Sequence, residues 1–341
     1  MKTINRNAFF TRRVKEQKPR SKNEILFHSA FSEELSLKYS NWLNSSVLVY
    51  LCNTFSKDTS MHEFPDPPNY SILYDISLSD MFMTLNALLK SGNYKDYRKY
   101  FLRILIELLY SEGNISACLS AIYEYRSMEY SEDFRLMKAS GYLYELNVLK
   151  YTSLQNYFVI AHEYGHMNKE RNSNLVRIIE VFIENVSSLY NKNKKLKHLN
   201  LDGKSIVEDL YADAVGFEFL MNLSNIDLID MVNAVYLCII YNDMLNYLKY
   251  CCKFTADMNY PVEKSFETLF RKELIKHLCQ QISVDANNLN IIDRNSSFDI
   301  YHSLVFEHIA NNNGILRSEI NATTMKDFDN IINNVFFSDL I

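Results

Sequence analysis

The stretch VIAHEYGHM, at residues 159–167, places His162 and His166 four positions apart, with Glu163 directly after the first histidine. Apolar spacing over residues 151–169 predicts a helix around it. On a helix, residues four apart lie one turn above each other on the same face, so both imidazoles can ligate a single Zn²⁺ ion. Glu163 lies about 100° further around the helix axis, where a carboxylate reaches a water molecule without ligating the metal. The spacing therefore predicts a zinc site with Glu163 as its catalytic base.

A zinc site that catalyses hydrolysis needs a third protein ligand, and residues 205–223 form a second predicted helix that offers one. Asp209 and Asp213 lie four apart on one stripe of that helix, flanked by apolar residues that would press the stripe into the core. Buried acids need compensation, which a metal and its histidine ligands supply. We therefore predict that Asp209 is the third ligand and that Asp213 orients a histidine ligand by a hydrogen bond. Glu208 remains the alternative ligand, although Ser205 three residues earlier gives it a capping-box role at the helix start.

A further pair of acids is a rival source of the third ligand. Glu180 and Glu184 lie four apart on a predicted helix over residues 175–190, and their other interpretation is an ordinary solvated helix face. His302 and His308 lie six apart, which suits neither one helix face nor one strand face, so we interpret them as ordinary side chains.

Helical periodicity extends on both sides of the motif, and two apolar segments upstream predict strands. Residues 46–55 and 71–78 are rich in Val, Ile, Leu and Tyr, and a proline-rich breaker at 65–68 separates them. Only 7 Gly and 5 Pro occur in 341 residues, which favours long helices and few tight turns. The predicted fold class is α+β and predominantly helical, with a small N-terminal β-sheet of two to four strands and two metal-bearing helices. The predicted helices cover residues 79–91, 94–110, 151–169, 175–190, 205–223, 226–252 and 262–282.

We predict four parts along the chain. They are a basic arm over residues 1–22, a small sheet plus helices over 23–150, a catalytic helical core over 151–282 and a C-terminal helical extension over 283–341. The arm carries eight basic residues and one acidic residue, which is typical of a solvated, disordered tail. A contact arm for an anionic partner is the alternative. The extension is rich in Asn, and its sequence indicates no role.

Composition excludes several classes of protein. With 48% apolar and 23% charged residues the chain is typical of a globular protein, and a net charge of −5 argues against one built to neutralise nucleic acid. The six cysteines include the adjacent pair Cys251 and Cys252 and no CxxC pair, which argues against a disulfide framework or a thiolate metal site. The best candidate for a membrane span, residues 231–248, is interrupted by Asn and Asp before it reaches spanning length. We therefore expect a cytoplasmic protein that binds neither a specific nucleic acid nor a membrane.

The sequence HEYGH at residues 162–166, followed by a helix that bears Asp213 and Gly216, resembles the gluzincin branch of the zinc metallopeptidases. In that branch the second helix carries Glu-x-x-Ala-Asp or a close relative of it. Within the branch the chain is most similar to the family of the phage-exclusion protease Lit, over roughly residues 72–271, and the match includes an edge-strand-like segment at 71–78. The resemblance implies a zincin-like core, Zn²⁺ as the cofactor and a protein as the substrate.

Two positions depart from the family pattern. The family's glutamate ligand is matched by Asp209, whose side chain is one methylene shorter. The second helix must therefore approach the first more closely, or Glu208 must take the place of Asp209. Tyr260 followed by Pro261 stands where the family has histidine before proline, and the resemblance makes Tyr260 the candidate for stabilising the oxyanion.

The function predicted from these residues is that of a zinc-dependent endopeptidase. In this mechanism Glu163 takes a proton from the attacking water and delivers it to the leaving amine. The resemblance to the Lit family implies a narrow host-protein substrate, such as a translation factor, and a role in phage defence or toxicity. The alternative is a catalytically silent, zincin-like regulator or protein-interaction module. The presence of Glu163 favours the enzyme, because a purely structural zinc site needs no base beside its ligands.

Overall fold

A computed structural model of the protein describes residues 22–52, 56–91, 94–129, 146–167, 177–184, 203–223, 225–253 and 262–282. Most of these residues are helical, which confirms the α+β, predominantly helical fold class. The helices are α1 (Lys22–Leu43), α2 (Ile76–Ser91), α3 (Tyr94–Ser111), α4 (Ile115–Glu129), α5 (Leu146–Met167), α6 (Gly203–Met221), α7 (Leu228–Lys253) and α8 (Val262–Gln281). A further helical segment, residues 177–184, lies between α5 and α6 in the chain. The strands are β1 (Val47–Cys52), β2 (Thr59–Glu63) and β3 (Tyr70–Asp75).

The three strands form a sheet in the order β1–β3–β2, with β1 parallel and β2 antiparallel to β3. The prediction of an edge strand at residues 71–78 is wrong, because β3 is the middle strand and pairs with both of its neighbours. Every residue of β3 after Tyr70 is buried, and the strand lacks the polar alternation of a half-exposed strand. The sequence of β2, TSMHE, is short and polar, so it lacks the apolar run that predicts a strand.

Asp75 explains where β3 ends and α2 begins. One oxygen of its carboxylate accepts a hydrogen bond from the backbone N–H of Ser77 at 3.0 Å, as an N-cap residue does. The other oxygen accepts one from the N–H of Lys57 at 3.1 Å. Residues 76–78, predicted as strand, are therefore the first turn of α2, which begins three residues before the predicted start of the helix.

The other predicted helices are present with shifted ends. α5 begins five residues earlier than predicted, and α6, α7 and α8 match their predicted ranges to within two residues at each end. α3 ends before Gly113 as predicted, and this glycine has a φ of 73° and donates its N–H to the Tyr110 carbonyl at 3.1 Å. Lys22, the last residue of the predicted arm, is the first residue of α1. The rest of the arm and the C-terminal extension lie outside the described residues.

α5 lies at the centre of a hydrophobic core. It packs most extensively against α6 and also contacts α2, α7 and β2, while α1 packs against β1 and α8 against α6 and α7. Phe158, Ile160 and Ala161 on α5 have no exposed surface. The core takes residues from both of the predicted segments 23–150 and 151–282. Because the motif follows directly on the buried part of α5, its polar side chains lie at the border of the core.

α7 contains the one candidate membrane span among the helices that the structure describes. Its window Leu228–Asn246 is long and apolar enough to cross a membrane, with a mean hydropathy of 1.4. Within the protein, 61% of that window is buried, and α7 contacts α3, α5, α6 and α8. A core helix passes the same test of length and composition, so the expectation of a protein without a membrane partner stays a prediction.

A buried ion pair holds Lys57, just before β2, against α3. Its ammonium group donates to Glu107 and to the carbonyl of Ser77, and Lys57 is 2% exposed. We expect Glu107→Ala to lower the free energy of unfolding by about 3–5 kcal/mol in urea denaturation, because the buried ammonium loses its carboxylate. Lys276→Ala, which removes a partly exposed pair with Glu273 on α8, should cost less than about 1 kcal/mol. If the free energy of unfolding fell by the same amount in both variants, burial of the ion pair would not be the cause of its effect.

Candidate metal centre

His162 and His166 lie on the face of α5 that meets α6. Their ring centroids are 4.6 Å apart with the planes at 86°, and their Nε2 atoms are 3.0 Å apart. The exposed fraction of the side chain rises from 12% at His162 to 33% at His166, so the second histidine reaches the protein surface. The two imidazoles converge on one point, as the spacing of four residues predicts.

Two glycines allow α5 and α6 to approach closely beside the histidines. A Cβ atom on Gly165 would lie 2.6 Å from the Cα atom of Ala212, and one on Gly216 would lie 2.8 Å from the ring of Phe158. Both distances are well below the separation of about 3.5–4.0 Å that carbon atoms prefer. A side chain at either position would therefore push the helices apart. The close approach brings the short side chain of Asp209 to the histidines.

Asp209 joins the two histidines from α6. Its Oδ1 atom lies 3.2 Å from Nε2 of His166. One donor atom from each of His162, His166 and Asp209 lies within 4.8 Å of the other two. In a tetrahedral site with metal–ligand bonds of about 2.0–2.1 Å, neighbouring ligand atoms are about 3.3 Å apart. The three side chains therefore have the chemistry and the spacing to hold one divalent cation.

Asp213, one turn after Asp209 on α6, orients His162. Its Oδ1 atom lies 2.8 Å from Nδ1 of His162, and Asp213 has no exposed surface. When the proton of the ring is on Nδ1, the Nε2 atom keeps the lone pair that a metal needs. The structure thus contains the hydrogen bond between Asp213 and a motif histidine that the sequence predicts.

Arg271 on α8 is a residue near this site that was not predicted from the sequence. Its Nε donates to Oδ2 of Asp213 at 2.6 Å, and its Nη2 donates to Oδ1 at 2.7 Å. Burial acts to raise the pKa of Asp213, but the charge of Arg271 and the hydrogen bonds with His162 and Arg271 together outweigh it, and the pKa is lowered. A sequence signal existed, because Arg271 precedes Leu274 and Leu278 by three and seven residues and so falls on the apolar stripe of its helix.

Hydrogen bonds and nearby charges keep Asp209 ionised. Burial acts to raise the pKa of its carboxyl group, whereas hydrogen bonds with His166 and Glu267 and the charge of Arg271 lower it, and the net pKa lies well below its usual range. The same hydrogen bond raises the pKa of His166, against the effect of burial. Asp209 is therefore a carboxylate at neutral pH, which is the state that ligates a cation.

Glu163 lies beside the three donor residues and is not one of them. Burial raises the pKa of its carboxyl group. The two histidines oppose that shift, Asp209 and Asp58 add to it, and the net pKa is above its usual value. Asp58, directly before β2, forms an ion pair with Lys249 of α7 at 2.5 Å. The surroundings of Glu163 thus include the loop before β2 as well as α6.

Tyr164, in the middle of the motif, connects α5 to α1 and the sheet. Its ring makes edge-to-face contacts with Trp42 of α1, at 5.3 Å between centroids, and with Tyr70 of β3, at 5.7 Å. Such aromatic pairs contribute about 0.5–1.5 kcal/mol each beyond the area that they bury. These contacts help to fix the rotation of α5 and with it the direction of both histidines.

The other residues predicted for the site lie elsewhere. Glu208 is exposed and does not belong to the donor cluster found among the described residues. Glu180 and Glu184 are exposed on segment 177–184 and are likewise outside that cluster. Tyr260, the candidate oxyanion stabiliser, lies outside the described residues, as do the two histidines of the C-terminal extension.

Comparison with known proteins assigns no family to this geometry. No family model, no curated protein and no solved structure matches the chain. A function can therefore be inferred from the arrangement of side chains around His162 and His166 and from the motif in which they occur.

Proposed function

We propose that this protein is a zinc-dependent endopeptidase. The observation that carries the proposal is the convergence of the Nε2 atoms of His162 and His166 with Oδ1 of Asp209, with Glu163 next to them. Two imidazoles and one carboxylate are a donor set of catalytic zinc sites, in which a fourth position stays open. The close contact of α5 and α6 is consistent with aspartate in the role that glutamate has in the gluzincins.

The residues of the chain divide the chemistry between them. Zn²⁺ held by the three donors would supply a Lewis acid that makes water nucleophilic near neutral pH and polarises the peptide carbonyl. The carboxylate of Glu163 accepts a proton from the attacking water and donates it to the nitrogen of the leaving amine. Asp213 keeps the ring proton of His162 on Nδ1, so that Nε2 is available as a ligand.

The exposure of the site supports catalysis over a purely structural role. Structural zinc sites are closed by four protein ligands. In the part of the chain that the structure describes, three donors converge, and 33% of the His166 side chain and 20% of the Asp209 side chain are exposed. Solvent can therefore reach these two donor residues. This exposure and the presence of Glu163 favour the peptidase over a silent zincin-like regulator.

The resemblance to the Lit family supports the finer parts of the proposal. These are a zincin-like core, a narrow host-protein substrate such as a translation factor, a cytoplasmic location and a role in phage defence. The cytoplasmic location follows from the composition, and the other three parts follow from the resemblance of the motif at residues 162–166 and of the helix that carries Asp213. The substrate is therefore best sought among host proteins rather than with a generic peptide.

The test combines metal analysis with a search for cleavage. Purified wild-type protein should contain about one zinc ion per chain, and His162→Ala should contain none. Host-cell lysate incubated with the wild type should yield new peptide N-termini in mass spectrometry, and chelation or His162→Ala should abolish them. Zinc without any new N-terminus would favour the silent regulator, and a wild type without zinc would contradict both functions.

The third ligand can be tested separately. Asp209→Ala removes the carboxylate that lies 3.2 Å from His166, so we expect zinc affinity to fall by more than about 100-fold in competition with a chromophoric chelator. Glu208→Ala, one residue away at an exposed position, is the matched control and should change the affinity by less than about twofold. The opposite ranking of the two variants would transfer the ligand role to Glu208.

A further inference from the structure

The ion pair between Arg271 and Asp213 joins three helices at one point. Oδ1 of Asp213 accepts hydrogen bonds from Nη2 of Arg271 and from Nδ1 of His162, so side chains of α8 and α5 share one oxygen atom on α6. A rotation of the Asp213 carboxylate would disturb both hydrogen bonds together. The orientation of the His162 ring therefore depends on α8 as well as on α6.

Burial makes Asp213 dependent on Arg271. A carboxylate without exposed surface needs a compensating charge, because water does not reach it. Arg271 supplies that charge through two parallel hydrogen bonds, a geometry that a lysine cannot reproduce. If α8 left its place, Asp213 would lose this compensation and His162 would lose its fixed orientation.

Metal binding should act on α8 through the same atoms. A cation held by Nε2 of His162 would draw electron density from the ring and would strengthen the Nδ1–H hydrogen bond to Asp213. That favours the orientation of Asp213 in which Arg271 is bound. α8 contacts α6 and α7 and buries Leu274 and Leu278. Because coupling between two binding events is reciprocal, a docked α8 must favour the metal as much as the metal favours docking.

We propose that Arg271 is a positioning residue through which the docking of α8 and the binding of metal at His162 stabilise each other. The inference rests on the metal centre of the proposed function and does not require peptidase activity. The centre reaches its full affinity only when α8 is docked, although α8 supplies none of the three donors identified among the described residues.

The first measurement is zinc affinity in the full chain without substrate. Arg271→Met removes the charge and keeps an apolar stem, whereas Arg271→Lys keeps the charge and loses the bidentate geometry. We expect the affinity to fall by about 10- to 100-fold in Arg271→Met and by a smaller factor in Arg271→Lys. Lys276→Met changes a partly exposed cation on the same helix, paired with Glu273, and should keep the wild-type affinity.

The second measurement is amide hydrogen–deuterium exchange with and without zinc. If Arg271 only stabilised the fold, it would not make the exchange of α8 depend on zinc. In the wild type, zinc should slow amide exchange in α8 as well as in α5 and α6. In Arg271→Lys, zinc should still slow exchange in α5 and α6 but should slow it in α8 less than in the wild type. Some effect on α8 should remain, because Glu267 on α8 still hydrogen-bonds Asp209. The wild-type comparison needs no variant, so the test stands even if Arg271→Met fails to fold.

Two results would overturn the proposal. One is exchange in α8 of the wild type that zinc does not change, and the other is equal zinc affinity in Arg271→Met and Lys276→Met. A wild type that binds no zinc would refute this proposal and the metal centre together. A wild type that binds zinc with the expected coupling but cleaves no protein would support this proposal and refute the peptidase.

Discussion

The Glu163→Gln variant should keep its zinc and hydrolyse its substrate about 10²- to 10⁴-fold more slowly than the wild type. Glutamine has the shape of glutamate and still accepts a hydrogen bond, but it cannot take a proton from water and return it to an amine. Zinc should be retained because Glu163 lies outside the group of three donors. The measurement pairs zinc content by elemental analysis with the rate at which the wild-type cleavage products appear.

Two further variants serve as controls for this result. His166→Ala should lose zinc and activity together, because its Nε2 atom faces both His162 and Asp209. Glu208→Gln makes the same acid-to-amide change at an exposed position and should cleave at the wild-type rate. If Glu163→Gln also cleaved at that rate, Glu163 would not be the base and the proposed mechanism would be wrong.

The second large effect is expected for Gly165→Ala. The new Cβ atom would lie 2.6 Å from the Cα atom of Ala212, and a backbone atom cannot rotate away as a side chain can. α6 must then move, and Asp209 moves away from His166 with it. We expect zinc affinity to fall at least about 10-fold and the free energy of unfolding to fall by about 1–3 kcal/mol. Chelator competition and urea denaturation measure the two quantities.

Double variants identify the cause of this effect. Adding Ala212→Gly should not restore stability, because glycine keeps the Cα atom that makes the closest contact. Gly216→Ala instead meets the ring of Phe158, so Phe158→Leu should restore part of its loss. Alanine is better than glycine in a helix by about 1 kcal/mol. A Gly165→Ala protein that was more stable than the wild type and bound zinc equally well would therefore contradict the close contact.

This contact gives a physical reason for an aspartate where the gluzincin resemblance calls for a glutamate. The Asp209 side chain is one methylene shorter than that of glutamate. If the two helices packed at an ordinary separation, it would not reach the histidines. Gly165 on α5 and Ala212 on α6 remove side-chain volume between the helices one turn from the donors. We therefore expect that an aspartate at this ligand position requires small residues where the two helices meet, and that a glutamate does not.

The elements predicted well are those whose signal is local. α5 is a long apolar stretch with helical spacing. α3 ends before Gly113 because glycine readily adopts the positive φ found there. The elements predicted poorly depend on partners far away in the chain. β2 is a strand because its backbone pairs with β3, not because TSMHE favours one, and the same pairing makes β3 a middle strand instead of an edge strand.

The sequence by itself determined that His162 and His166 share one face of a helix with Glu163 beside them, because the period of the α-helix is a local property of the backbone. It also placed Asp209 and Asp213 on one stripe of a second helix. Only the tertiary structure decided that Asp209 and not Glu208 faces the histidines, and that Arg271 holds Asp213. Those outcomes depend on the distance and rotation between packed helices, which are set by contacts such as Gly165 on Ala212 and not by spacing along the chain.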